Sequence, residues 1–109
     1  MKISSAKAKG KRLELKVARE WRSKIDKTAV PTRGSGNGES FKEDVFTNYF
    51  KIECKNQETV KLWAWWDQAR RYYNASKPPV LAISGNYRPI LVVMDLDDWL
   101  NLVKEAKIE

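Results

Sequence analysis

The chain has 109 residues, 42% of them apolar, enough for one domain with a real core and too few for two. It carries a net charge of +7, a single cysteine and no histidine. Those counts exclude an intramolecular disulfide framework, zinc-finger ligation, cysteine–histidine nucleophiles and Ser–His–Asp triads. Any hydrolytic chemistry must then run on carboxylates, lysine and an oxygen-liganded metal such as Mg²⁺ or Mn²⁺. No stretch has the length and apolarity of a membrane span, and the N-terminus lacks a signal peptide's apolar segment. The expected location is therefore the cytoplasm, of a cell or of a host infected by a virus that encodes the protein.

Residues 1–10 read as a flexible basic arm ending at Gly10. Over residues 11–25, Leu13, Val17, Trp21 and Ile25 recur every four positions, with Ala18 widening the stripe, which predicts an amphipathic helix. Residues 27–33 predict a short strand that Pro31 confines to a sheet edge or an irregularity. Residues 34–38 form a glycine-rich loop. Two further strands are expected over residues 42–47 and 50–55, with Asn48 and Tyr49 between them. A helix over residues 60–75 follows, capped by Thr59 and closed before Pro78 and Pro79. Strands over residues 80–84 and 90–94 flank the Gly85-Asn86 turn. Asp95 then caps a last helix running to residue 103. The order α-β-β-β-α-β-β-α predicts a single compact α/β domain with a mixed central sheet flanked by helices.

Charge is distributed unevenly along this order. Residues 1–27 hold ten Lys or Arg against Glu14, Glu20 and Asp26, whereas the remaining 82 residues carry eleven of each sign. The whole positive excess thus sits on the N-terminal arm and first helix, as on a nucleic-acid-facing surface. A merely solubilising surface is the alternative.

If Asn48-Tyr49 is a two-residue hairpin loop, Asp44 falls directly opposite Glu53, with Cβ atoms roughly 5 Å apart. Two carboxylates that close repel unless a cation lies between them or one is protonated. Strand alternation puts Glu53 and Lys55 on one face, with Lys51 beside them, and turns Phe50, Ile52 and Cys54 to the other, apolar face. Two carboxylates and a lysine on a rigid strand are suited to an oxygen-ligand site. A solvated sheet face laced with ion pairs fits the same pattern. Cys54, its thiol turned to the core, has only its backbone carbonyl to offer a metal.

The Glu53-Cys54-Lys55 triplet, preceded by Asp44 on a neighbouring strand, resembles the motif of the PD-(D/E)XK nuclease superfamily. Within it the chain is most similar to the small archaeal-type Holliday junction resolvases and their phage relatives. The resemblance extends to Glu14 on the first helix, to Arg33-Gly34-Ser35-Gly36 after a basic strand, and to Gln68 with Tyr72 on the next helix. It covers roughly residues 10–100. Glu43 stands where the family has proline, and the Asp44-to-Glu53 spacing is shorter than in the archaeal enzymes.

This resemblance implies a restriction-endonuclease-like fold, with a nuclease domain over residues 11–109 behind the arm. It implies hydrolysis of a phosphodiester by a metal-activated water, with Mg²⁺ as cofactor and Mn²⁺ able to substitute. Asp44 and Glu53 are the implied metal ligands, with the Cys54 carbonyl and Glu14 completing the set. Lys55 would orient the attacking water or stabilise phosphate charge. Gln68 would hydrogen-bond near the metal or the substrate backbone. The glycine-rich loop makes Arg33, Ser35 and Asn37 candidates for phosphate contacts, with a plain connector as the alternative for Asn37, and Lys7, Lys9, Lys11 and Arg12 would then be nonspecific contacts to the DNA backbone. The expected activity is resolution of four-way junctions by a homodimer. Cutting or nicking of duplex, flap or other branched DNA is the alternative. A catalytically silent DNA-binding protein and an unrelated structural protein are the readings outside enzymology.

The helix after Glu58 carries Trp63, Trp65 and Trp66. Leu62, Trp66, Ala69 and Tyr73 form one core-like stripe there, with Trp63 and Trp65 to either side. At least one ring is expected to meet a partner subunit or nucleic acid.

Overall fold

A computed structural model describes residues 3–31, 44–71 and 77–106. Among these residues the elements are α1 (Ile3–Lys24), β1 (Val30–Pro31), β2 (Asp44–Phe46), β3 (Lys51–Asn56), α2 (Leu62–Arg70), β4 (Pro79–Ser84), β5 (Leu91–Val93) and α3 (Leu96–Ala106). The strands form one mixed sheet in the order β1-β2-β3-β4-β5. Among the described strands only the β3–β4 pair is parallel. Parallel neighbours need a crossover connection, and α2 lies on it. The α/β architecture and element order follow the sequence expectation, in a restriction-endonuclease-like topology. Among the described residues no helix is long and apolar enough to cross a membrane.

Helix α1 starts at Ile3 rather than at residue 11, so the expected flexible arm is helical from that point. Ala6, Lys7, Ala8 and Lys9 are good helix formers, and they carry the helix through Gly10 despite its cost of about 1 kcal/mol relative to alanine. Gly10 is buried. Nearby, the Asn56 amide donates to the Lys9 carbonyl at 3.4 Å, tying this part of α1 to the end of β3. Leu13 and Ala18 bury against Val45, Ile52, Cys54, Val80 and Ala82, with Val17 and Trp21 packed on the same cluster. Ile25, expected to continue the stripe, lies past the helix end and is exposed.

The chain leaves α1 through a side-chain knot. Asp26 accepts from the Trp21 indole at 3.0 Å and the Thr28 amide at 2.9 Å, and also from the Thr28 hydroxyl. The Thr28 hydroxyl and amide, with the indole, hold the Asp26 carboxyl below its ordinary pKa. The same Thr28 hydroxyl accepts from the Asn48 amide at 3.2 Å, linking this turn to the β2–β3 hairpin. Trp21 also lies edge-on to Phe50, with ring centroids 6.0 Å apart.

The hairpin pairs Asp44 with Glu53, Val45 with Ile52 and Phe46 with Lys51, the register a two-residue loop dictates. Asn48-Tyr49 lacks the glycine that favours tight hairpin turns. Thr47 supplies what is missing, because its buried hydroxyl accepts from the Tyr49 and Phe50 amides, each at 2.9 Å. Thr47→Val keeps the branched shape but leaves two amides without this acceptor. We expect it to cost about 1–3 kcal/mol, read as a lower urea midpoint; an unchanged midpoint would show that the hydroxyl does not hold the turn.

Helix α2 differs from expectation at its start. It begins at Leu62 with Lys61 at the N-cap position and no side-chain cap, so Thr59 does not perform that role. Its buried stripe is Trp65 and Ala69; Leu62 and Trp66 are only partly covered. The four-residue spacing of Trp65 and Ala69 matches a helix face, turned one position from the predicted one. Trp63 is 74% exposed. Residues 72–76, including Tyr72 and Tyr73, lie outside the described residues.

Helix α3 has the expected cap, the Asp97 amide donating to the Asp95 carboxylate at 2.8 Å. The carboxyl of Asp98 is raised, by burial first and by Asp95 and Asp97 next. Although α3 is amphipathic, none of its residues is buried, and Leu96, Trp99, Leu100 and Leu102 remain exposed. Leu91 and Val92 of β5 are exposed too. An apolar groove of about 420 Å³ runs between α1 and α3, lined by Val17, Trp21, Phe50, Val80, Val92 and Leu102 among others.

Candidate active site

Strand β3 is buried on both faces, and the two faces carry different chemistry. Ile52 and Cys54 point into the apolar cluster under α1. Residues alternate across a strand, so Lys51, Glu53 and Lys55 face the other layer, where α2 packs. Glu53 is 2% exposed and Lys51 5%. The face carries the ion pairs that the sequence pattern left open, but it is buried rather than solvated.

Glu53 lies between two ammonium groups. Lys51 Nζ is 3.6 Å from Glu53 Oε1, and Lys55 Nζ is 3.7 Å from Glu53 Oε2. A buried carboxylate is strongly unfavourable without opposite charge nearby. Two lysines on the same strand face, each two residues away, provide it. Glu53 Oε1 is also buried and has no hydrogen-bond partner among the described residues.

The two lysines are not equivalent. Lys51 Nζ also donates to the Ala69 carbonyl at 3.5 Å, near the C-terminus of α2, where carbonyls lack partners within the helix. A cation there complements the helix dipole. Lys51 thus joins the Glu53 carboxylate to the turn of α2 that carries Gln68. The Lys55 side chain is more accessible, at 14%. The sequence places Lys51 beside the site; its bond to α2 depends on a crossover that residue spacing does not reveal.

The backbone puts Asp44 directly opposite Glu53 across the β2–β3 pair. Its side chain is outside the described residues. Glu14 is wholly buried on α1, the helix that packs on the Ile52 and Cys54 face of the sheet. Gln68 is half-buried on α2. Cys54 is fully buried on the core face, as its alternation predicts. Among the described residues no group of three or more His, Cys, Asp or Glu side chains comes together. Mg²⁺ does not require one. It is commonly held by one or two carboxylates with waters and substrate phosphates, and the all-oxygen donors offered by Glu53, and by Asp44 in its register position, are of that class.

Of the expected DNA contacts, Lys11 and Arg12 are exposed on α1, and Lys9 is half-buried. Lys7 lies on the same helix with its side chain outside the described residues, and Arg33, Ser35 and Asn37 are outside them altogether. Lys16, Asn56, Ser84 and Arg88, absent from the sequence-based set, share a groove with Arg12.

The model of a protein family described as "Phage putative PDDEXK endonuclease" matches residues 5–109. No curated protein and no solved structure matches the chain. The match runs through α1, the Asp44–Glu53 hairpin, the crossover and α3, and the chain belongs to this phage-associated family of PD-(D/E)XK endonucleases.

Proposed function

We propose that the protein is an Mg²⁺-dependent endodeoxyribonuclease that resolves four-way DNA junctions by phosphodiester hydrolysis. The observation that carries this reading is the buried Glu53 carboxylate, flanked by Lys51 and Lys55 and set opposite Asp44. When bound, Mg²⁺ supplies Lewis-acid polarisation of the phosphoryl group and a more acidic water. Asp44 and Glu53 are the residues that would hold it, with the Cys54 carbonyl as a further donor, Glu14 acting through a water or a second ion, and Mn²⁺ as an alternative ion. Lys55, the more accessible of the two lysines, would meet charge on the phosphate oxygens or orient water. Gln68, next in sequence to the Ala69 whose carbonyl receives Lys51, would hydrogen-bond near the metal or contact the substrate backbone from α2.

Junction resolution needs two sites acting on opposed strands, which a homodimer provides. The exposed apolar side chains of α3, Leu96, Trp99, Leu100 and Leu102, support dimerisation, since exposed apolar surface of this kind marks interaction sites. Light scattering should give the mass of two chains, and Trp99→Asp with Leu100→Asp should give the mass of one. A wild-type monomer at micromolar concentration would remove the dimer from the proposal.

The function is tested with labelled four-way junction, duplex and flap DNA, each with Mg²⁺ and with EDTA. Paired symmetric incisions confined to the junction are the expected result. Equal cutting of duplex or flap would replace junction resolution with a broader nicking or branched-DNA activity. Binding to all three without metal-dependent cutting would overturn the enzymatic reading.

A further inference from the structure

The parallel strands β3 and β4 end side by side, with Asn56 paired to Ser84. In open α/β sheets the crevice outside the carboxyl ends of such strands is where ligands bind. Here that crevice is a groove of about 280 Å³ whose lining includes Arg12 and Lys16 from α1, Asn56 and Ser84 from the strand ends, and Arg88 from the β4–β5 loop. It contains three cationic side chains and no carboxylate. Among the described residues, none of the three cations has an ion pair.

The groove's walls are held in place. The Asn56 amide reaches the Lys9 carbonyl, fixing α1 against the end of β3. The Ser84 hydroxyl donates to the Arg88 carbonyl at 3.2 Å, and the Arg88 amide to the Gly85 carbonyl at 3.3 Å. Tyr87 takes a left-handed conformation with φ 60°, and the Asn86 amide donates to Glu58, so the turn presenting Arg88 is anchored at several points. A Cβ on Gly85 would come within 3.1 Å of the Glu58 carboxylate, which keeps this corner tight.

We infer that this groove binds a backbone phosphate of the DNA strand flanking the one that is cut, through Arg12, Lys16 and Arg88. The inference rests on the nuclease reading for the identity of the polyanion, and its own support is the groove. Asn56 lies three residues beyond Glu53, roughly 10 Å along β3 at about 3.3 Å per residue, and alternation turns it to the α1 face, so a phosphate in the groove is distinct from the scissile one. Arginine is suited to phosphate through its planar fork of donors, and lysine acts there as a point charge.

The test is fluorescence anisotropy with labelled four-way junction and duplex DNA in EDTA, where no cutting occurs. It compares the wild-type chain with Lys16→Gln, Arg88→Gln and, as a control for loss of one charge, Lys104→Gln on α3. Lys16, Arg88 and Lys104 are all exposed, and circular dichroism should show each variant folded. Lys16→Gln and Arg88→Gln should each weaken binding about tenfold and reduce the slope of log K against log salt by about one. Lys104→Gln should change neither appreciably. If all three variants behave alike, or none differs from wild type, the groove is not a phosphate site. If the groove variants lose affinity as expected while the wild type cuts no DNA with Mg²⁺, the groove stands and the nuclease reading fails. No binding of DNA by the wild type overturns both.

Discussion

Glu53→Gln is expected to reduce Mg²⁺-dependent cleavage by on the order of 10³-fold or more, the scale seen when one preorganised electrostatic element of an active site is removed. Glutamine keeps the shape but provides no anion for a metal, and it presents a neutral amide to two ammonium groups. Breaking a buried charge pair costs about 3–5 kcal/mol, so the Tm should fall as well. Cleavage is therefore measured well below the variant's transition, beside DNA binding in EDTA. Binding should persist because the basic side chains are untouched. Cleavage within tenfold of wild type, by a folded protein, would remove Glu53 from the reaction.

The second large effect separates the two lysines. Lys51 is almost wholly buried and bridges Glu53 to the end of α2. Lys51→Met retains the stem but takes away the charge from Glu53 and the donor from the Ala69 carbonyl. The expected loss is about 3 kcal/mol, at the low end for a broken buried pair because Lys55 remains. For a domain of this size that corresponds to a Tm lower by about 10 °C or more. Lys55→Met removes a more accessible ammonium, so the expected pattern reverses, with a smaller Tm change and a larger loss of turnover. Equal Tm shifts with equal losses of activity would show that the lysines share one role.

Much of the site was legible because strand pairing follows arithmetic. A two-residue loop at Asn48-Tyr49 fixes Asp44 opposite Glu53, and alternation assigns Ile52 and Cys54 to the core, as the structure places them. The helix faces were read less well. On α2 three tryptophans compete for one stripe, and which ring goes inward depends on how the crossover delivers the helix to the sheet. The structure buries Trp65 and leaves Trp63 out. On α1, Gly10 reads as a boundary because glycine weakens isolated helices, but the flanking helix formers carry the helix through it and it is buried in the fold. Arg88 could not be associated with Arg12 and Lys16 from sequence, because the groove exists only where strand ends from distant segments meet the first helix.

Helix α3 carries a consequence for exchange of amide protons with solvent. Protection of an amide reflects the free energy of the opening that exposes it, and elements with few buried contacts open most readily. With its cap in place but no buried residue, α3 should open independently of the sheet in a dilute sample, while β3, buried on both faces, exchanges only on global unfolding. If a second chain covers α3, its protection will rise with protein concentration and that of β3 will not.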